Sequence, residues 1–159
     1  MTQRVDYAKQ APELFRKLAE LGKAVRGGTV ERSILNLVSI RASQVNGCAF
    51  CLDMHIKEAK LGGEKELRLH HLAGWRESPL FLARERAALA WAEILTRMPE
   101  SGVPDEVYAR VRAEFSEKEL SDLTFHVGGI NAWNRINVAF RAVPGSADAA
   151  FGLDKAQFN

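Results

Sequence analysis

At 159 residues, with 47% hydrophobic and 26% charged side chains, the chain has the make-up of one soluble domain, 1–159. That is long enough to bury a core without metal or disulfide staples. A net charge of +2, with no face of clustered Lys and Arg, argues against a nucleic-acid partner. No apolar run approaches the roughly 18 residues of a membrane span. Residues 1–6 lack the apolar stretch of a secretory leader, so a cytoplasmic protein is expected.

The pattern of the chain is helical throughout. Residues 12–21 open on Pro12 and carry Leu14, Phe15, Leu18 and Leu21 on one face, with Gly22 as the expected stop. Gly27-Gly28 makes a break, and Thr29 is the expected N-cap of a second helix. Over 30–46, Ile34, Leu37, Val38, Ala42 and Val45 keep the 3.6-residue period until Asn46-Gly47 ends it. A third helix follows at once over 48–60, closed by Gly62-Gly63. Residues 64–72 form a short helix holding His70 and His71. Ser78 as N-cap and Pro79 as first helical residue should open the next helix, running to about Arg97 with an Ala-rich face.

After a loop at 99–104, a helix over 105–115 presents Val107, Val111 and Phe115. Ser116 and Glu119 form a capping box, so a long helix starts there and reaches about residue 142. Gly128-Gly129 inside it costs helix propensity, and is expected to mark close backbone contact with a neighbouring helix or subunit. Pro144-Gly145 ends that helix, leaving a weakly patterned, fraying tail from 144 to 159. No segment keeps a period of two. The expected class is all-α, with its core over about 10–143.

The two cysteines of the chain stand three apart, and a histidine follows four residues after the second. On a helix, Cys48, Cys51 and His55 occupy i, i+3 and i+7, one face. Gly47 just before them places both sulfurs in the first helical turn, where unpaired N–H groups and the helix dipole favour a thiolate. Such a dithiol can reduce a peroxide: one sulfur becomes a sulfenic acid and the other condenses with it to a disulfide. His55 is placed to take the thiol proton. A zinc site, with Cys48, Cys51 and His55 as ligands and His70 or His71 as a fourth, is the weaker alternative, because knuckle ligands flank a turn. Asn131, Asn134, Arg135 and Asn137 are the polar candidates of the last helix, the first three on one face; they line the cleft or, the favoured reading, pair with helix ends of a neighbouring subunit. His70, His71 and His126 are read as structural, Arg41 and Gln44 as anchors of the turn, and Glu58 as a solvated helix charge.

The stretch 37–55, with Ser-Gln-x-Asn-Gly leading into Cys-x-x-Cys-x-x-x-His, resembles the core of the alkylhydroperoxidase D-like (AhpD-like) branch of the carboxymuconolactone decarboxylase family. Residues 75–81, 85–91 and 130–137 look like the same branch. The resemblance implies a helical fold assembled as a homo-oligomer, a trimer or hexamer. It also implies a thiol-dependent antioxidant peroxidase that needs no metal, haem or other cofactor. By the same resemblance Cys51 meets the hydroperoxide, Cys48 resolves it, and His55 belongs to a proton relay. An external thiol, a dithiol or lipoyl-type protein, restores the pair.

Two positions depart from the founding peroxidases. Asn36 stands where they carry Glu, twelve residues before the first cysteine, and Phe50 stands where they carry His between the cysteines. The relay is thereby shortened, and weak peroxidase activity or a different substrate is expected. The alternatives are a redox-sensing or thiol–disulfide exchange oligomer and a lactone decarboxylase. The decarboxylases of the family generally lack the cysteine pair.

Overall fold

The computed structural model describes residues 2–156, and among them the regular elements are all helical. The architecture is assembled around one helix, α3 (Arg32–Asn46), which is buried over most of its circumference: Ile34, Leu35, Leu37, Val38, Ser39, Ile40, Ala42 and Ser43 are all inside. The sequence pattern marked one apolar face. A helix apolar nearly all round belongs at the centre of a bundle, and α4 (Ala49–Leu61), α6 (Ala83–Thr96) and α8 (Glu117–Phe140) pack on its sides.

On one side of α3, Ile34, Leu35 and Val38 meet Trp91 of α6, Phe115 after α7 (Asp105–Arg112), and Leu123 and Val127 of α8. Another side places Leu37 and Ile40 against Ala59 of α4, Leu72, Trp75, Phe81 and Leu89. A third and smaller cluster joins Ala42, Ile130 and the two cysteines. Each large side chain fully buried in this way contributes about 1.5–3 kcal/mol.

Several boundaries differ from the sequence pattern, each for a local reason. Helix α2 (Pro12–Arg26) passes through Gly22, beside which the backbone has open space, so that Val25 continues the buried face. Helix α3 starts with Glu31 at its N-cap, so Thr29 does not cap it. Helix α6 starts at Ala83 and not at Pro79. There the Ser78 hydroxyl accepts the Leu80 N–H in a turn (3.3 Å), Arg86 ties down the carbonyls of Arg76, Ser78 and Phe81, and Glu85 accepts the Leu82 N–H (2.8 Å). Between α4 and α6 lie α5 (Glu66–His71) and a 3₁₀ turn, Leu72–Gly74.

The predicted capping box of α8 is present, with Ser116 Oγ accepting the Glu119 N–H at 3.2 Å and the Glu119 carboxylate accepting the Ser116 N–H at 2.7 Å. The close backbone contact expected at Gly128-Gly129 is not made within the subunit. A methyl at Gly128 would meet nothing within 4 Å, and one at Gly129 would meet only Leu21, at 3.9 Å.

Both ends of the chain are fastened more firmly than their patterns suggest. The short helix α1 (Tyr7–Gln10) has no sequence signature, yet the Arg4 N–H bonds to the Phe140 carbonyl (2.8 Å) and Tyr7 stacks on Phe140. The tail beyond Pro144 does not fray over its described part. Lys57 of α4 binds Asp53 (2.7 Å) and Asp148 (2.6 Å), Asp53 accepts the Gly145 N–H, and Leu153 is buried. Helix α9 (Asp148–Phe151) and a 3₁₀ turn at Leu153–Lys155 complete the strap. Residues 157–159 of the expected tail lie outside the described residues. No helix among the described residues is long and apolar enough to cross a membrane.

Candidate active site

The site begins with the link between α3 and α4. Asn46 ends α3 and Gly47 adopts the left-handed conformation, φ 66°, that lets the chain reverse over one residue. The Cys48 N–H then bonds back to the Ser43 carbonyl at 3.0 Å. Cys48 is thereby the N-cap of α4, and its sulfur accepts the backbone N–H of Cys51 at 3.4 Å, as a serine oxygen would. Both cysteines are free thiols, each only 2% exposed.

The two sulfurs share a proton unequally. The S–H of Cys51 donates to Cys48 and holds the Cys48 thiol down at about 7, against the opposing effect of burial. The backbone N–H of Cys51 and the Asn134 amide add to that. Cys51 is pushed well above the ordinary thiol range, first by that same bond to Cys48, then by burial and the Cys48 charge. The thiolate expected at the helix start therefore rests on Cys48, and Cys51 keeps the proton. Cys48 is thereby the sulfur of the pair that ionises more readily.

Asparagines surround the pair. Asn137 of α8 donates its Nδ2 to Cys51 Sγ at 3.3 Å. Asn134, fully buried, donates to Ser43 Oγ at 3.1 Å, and its carbonyl accepts from Asn46 Nδ2 at 2.8 Å. Asn131 accepts from Asn46 (2.9 Å) and Arg135 (2.9 Å) and donates to Thr96 (3.0 Å). These polar groups were favoured to meet a neighbouring subunit; instead they pair inside this one and clamp α8 to the end of α3 and, through Asn137, to the first turn of α4. Replacing the fully buried Asn134 by Ala empties its site and removes one acceptor of the part-buried Asn46 amide and the donor to Ser43. We expect a loss of about 2–4 kcal/mol, read in urea as a lower midpoint with an unchanged m-value.

His55 lies one turn beyond Cys51 and is buried. Its Nδ1 meets Glu58 Oε2 at 2.7 Å, and Arg26 of α2 braces the same carboxylate at 3.2 Å. Burial would raise Glu58, but the bonds to His55 and the charge of Arg26 outweigh it and hold the carboxyl below its ordinary value. An ionised Glu58 accepts the Nδ1 proton, which leaves the imidazole lone pair on Nε2, the form of a base. Glu58 is thus no solvated charge. With Asn36 it lines a cavity of about 570 Å³ whose other walls include Arg32 and Leu153. The carboxylate absent at Asn36 reaches His55 from Glu58.

Other residues singled out in the sequence lie elsewhere. Arg41 binds Glu93 of α6 (2.6 Å) and Gln44 (2.9 Å), tying α3 to α6 rather than anchoring the turn. His71 contacts Ser78, and both it and His70 are on the surface. Among the described residues no group of three His, Cys, Asp or Glu side chains is arranged to hold a metal ion, and the zinc alternative has no ligand set there.

Sequence reasoning named Asn137 among the polar residues of the last helix without tying it to the dithiol, and it missed Tyr7 altogether. For Asn137 a signal existed: Asn131, Asn134 and Asn137 recur every third residue on a helix that packs against α4. Buried amides need partners, and the dithiol was the polar group on hand.

A frame of helices that carries two free thiols at the opening turn of one of them makes this a helical dithiol protein. The sequence pattern of the carboxymuconolactone decarboxylase family matches residues 12–93, and the chain belongs to that family, in its AhpD-like branch. It is similar to the uncharacterized protein YdfG of Bacillus subtilis, 41% identical over 139 residues, which are 87% of this chain and 95% of YdfG. A solved structure from Agrobacterium tumefaciens, of a protein of unknown function provisionally assigned to AhpD antioxidant defence, is 40% identical. It superposes with a TM-score of 0.86 over 90% of this chain and 98% of its own. The fold also extends to a debrominase, with a TM-score of 0.76 and 18% identity over 94% of this chain and 80% of that one. At that distance the likeness concerns the fold alone, and one fold hosts many reactions.

Proposed function

We propose that the protein is a thiol-dependent peroxidase in antioxidant defence, which reduces a hydroperoxide with Cys51 and Cys48 and is reset by an external thiol. The observation that carries this reading is the hydrogen-bonded pair of free thiols at the start of α4, with the His55–Glu58 base one turn further on. Cys51 gives its proton to His55 and attacks one oxygen of the peroxide. The S–O bond forms, the O–O bond breaks, and the departing alkoxide takes the proton back from His55 to leave as alcohol. The Cys48 thiolate then attacks the sulfenic sulfur of Cys51. The S–S bond forms, and hydroxide leaves and is protonated to water. The pair has supplied two electrons, which an external dithiol or a lipoyl-type protein returns by two thiol–disulfide exchanges. The resting charge on Cys48 suits the resolving role, since the resolving sulfur must react as a thiolate.

Homo-oligomeric assembly as a trimer or hexamer is part of the proposal. It is supported by the exposure of Leu14, Phe125, Leu82 and Phe151, each more than half open to solvent on the single subunit. One observation favours a second reading. Two sulfurs only 2% exposed suit a thiol–disulfide exchanger or redox-sensing oligomer that responds without rapid turnover.

A single assay separates the two. Reduced protein is mixed with cumene hydroperoxide and excess small dithiol, and free thiols and peroxide are followed together. The peroxidase reading expects many peroxides consumed per subunit. Loss of two thiols per subunit with no turnover in any dithiol offered would establish the sensor instead.

A further inference from the structure

A row of hydrogen bonds reaches the dithiol from the far end of the chain. The hydroxyl of Tyr7 lies 2.7 Å from Asn137 Oδ1, and Asn137 Nδ2 lies 3.3 Å from Cys51 Sγ. The direction of each bond follows from the last one. Cys51 spends its single proton on Cys48, so it offers Asn137 only lone pairs, and the amide must face it with N–H. That leaves Oδ1 turned toward Tyr7, whose O–H has to donate. All donors thus point the same way, from Tyr7 through Asn137 and Cys51 to Cys48, an order in which each bond polarises the next.

The surroundings hold this arrangement in place. Asn137 is 3% exposed, and Tyr7 packs on Phe15, Trp133 and Phe140 with ring centres 6.2, 6.4 and 5.9 Å away. Helix α1 is too short to hold itself. It is fixed by the bonds of Arg4 to the Phe140 and Ala139 carbonyls at the end of α8. Tyr7 is moreover raised above the ordinary phenol range, by burial first and then by the cysteines, so it is a donor throughout the working range of a thiol.

We propose that Asn137 is a catalytic residue that stabilises negative charge on Cys51 through its amide N–H, and that Tyr7 is the positioning residue that keeps that N–H, rather than the carbonyl, turned toward the sulfur. The inference rests on Cys48 and Cys51 acting as a functional dithiol. When Cys51 gives up its proton, the Asn137 N–H is already aimed at its sulfur, beside the Asn134 amide that also serves Ser43. A hydrogen bond to an ionised group is worth more than one to a neutral thiol, so the amide favours the thiolate that attacks.

The test titrates each cysteine alone. With Cys48→Ser as background, the ultraviolet absorbance of the Cys51 thiolate is followed against pH, and Asn137→Ala and Tyr7→Phe are then added separately. The groups facing Cys51 in this background are His55 with Glu58 behind it, the Asn134 and Asn137 amides, and Tyr7. Asn137→Ala should raise the Cys51 midpoint by about one pH unit and Tyr7→Phe by about half that, in line with the worth of a bond to a charged group. Tyr7→Phe deletes one oxygen and keeps the ring contacts, so it reports even if the Asn137 variant does not fold. With Cys51→Ser as background, the Cys48 midpoint should move less than half as far. An unmoved Cys51 midpoint, or an equal movement of Cys48, would overturn the proposal. No peroxide enters the measurement, so a failure of peroxidase turnover would remove the proposed reaction and leave this result standing.

Discussion

Treated with one equivalent of hydroperoxide, the Cys48→Ser variant should accumulate a sulfenic acid at Cys51 that dimedone captures as a single adduct. The Cys51→Ser variant should give no adduct, and its turnover should fall by on the order of a thousandfold or more, as when other enzymes lose their nucleophile. The argument turns on where protons go. Cys48 is the more ionised sulfur at rest, and on charge alone it would be the attacker. Yet a peroxide oxygen cannot leave without a proton, and His55 lies one turn from Cys51 on the same face of α4. Cys51, once deprotonated, is also the stronger nucleophile, because nucleophilicity rises with thiol pKa. Serine at position 48 removes the neighbouring charge that holds the Cys51 proton on, so Cys51 should ionise more readily in that variant than in the wild type. Mass spectrometry of the dimedone adducts decides the matter. An adduct at Cys48 in the Cys51→Ser variant would exchange the two roles, and His55 would then need another explanation.

What could be read from the sequence was local. The turn at Asn46-Gly47, the helix that starts on Cys48 and the capping box at Ser116 each depend on residues within four positions of one another, which is the reach of periodicity and capping rules. The start of α6 was misplaced because Ser78 and Pro79 satisfy the local rule for a helix opening. Arg86 and Glu85, arriving from the helix itself, bind the backbone of 76–82 in another shape. Glu58 has an exposed-looking position on α4 until Arg26 reaches it from α2, 32 residues away. The contacts of Tyr7 and Cys51 with Asn137 span 130 and 86 residues, and no sequence period carries information over that distance. The chemistry-bearing pair and the polar residues of the last helix were therefore visible in the sequence, and the contacts that join them were not.

The helix that supplies those amides also holds a residue whose effect on stability should dominate the mildly acidic range. His126 of α8 is buried against α3, with its Nε2 3.0 Å from the Leu35 carbonyl and 2.8 Å from Ser39 Oγ. A carbonyl only accepts, so Nε2 carries a proton in the neutral ring and the charged ring alike. Burial pushes its pKa down from 6.5 to about 4, and the bond to Leu35, which favours the charged form, does not compensate. His55, when protonated, and Arg26 push the same way, and Glu58 pushes back. Between those two values the unfolded chain binds a proton that the folded one refuses. Stability is then full above 6.5 and falls as pH drops toward 4, at up to about 1.4 kcal/mol per unit and by about 3 kcal/mol in total. Glu58, with its depressed carboxyl, acts in the same direction but only below its ordinary value of 4.5. The interval from 4.5 to 6.5 therefore reports on histidine. Urea midpoints measured across it should decline steeply for the wild type and stay nearly level for His126→Gln, whose amide can still donate to the Leu35 carbonyl. A wild-type slope that survives in His126→Gln would mean that another group loses its native environment first. The neutral histidine between α3 and α8 would then be a passive part of the core.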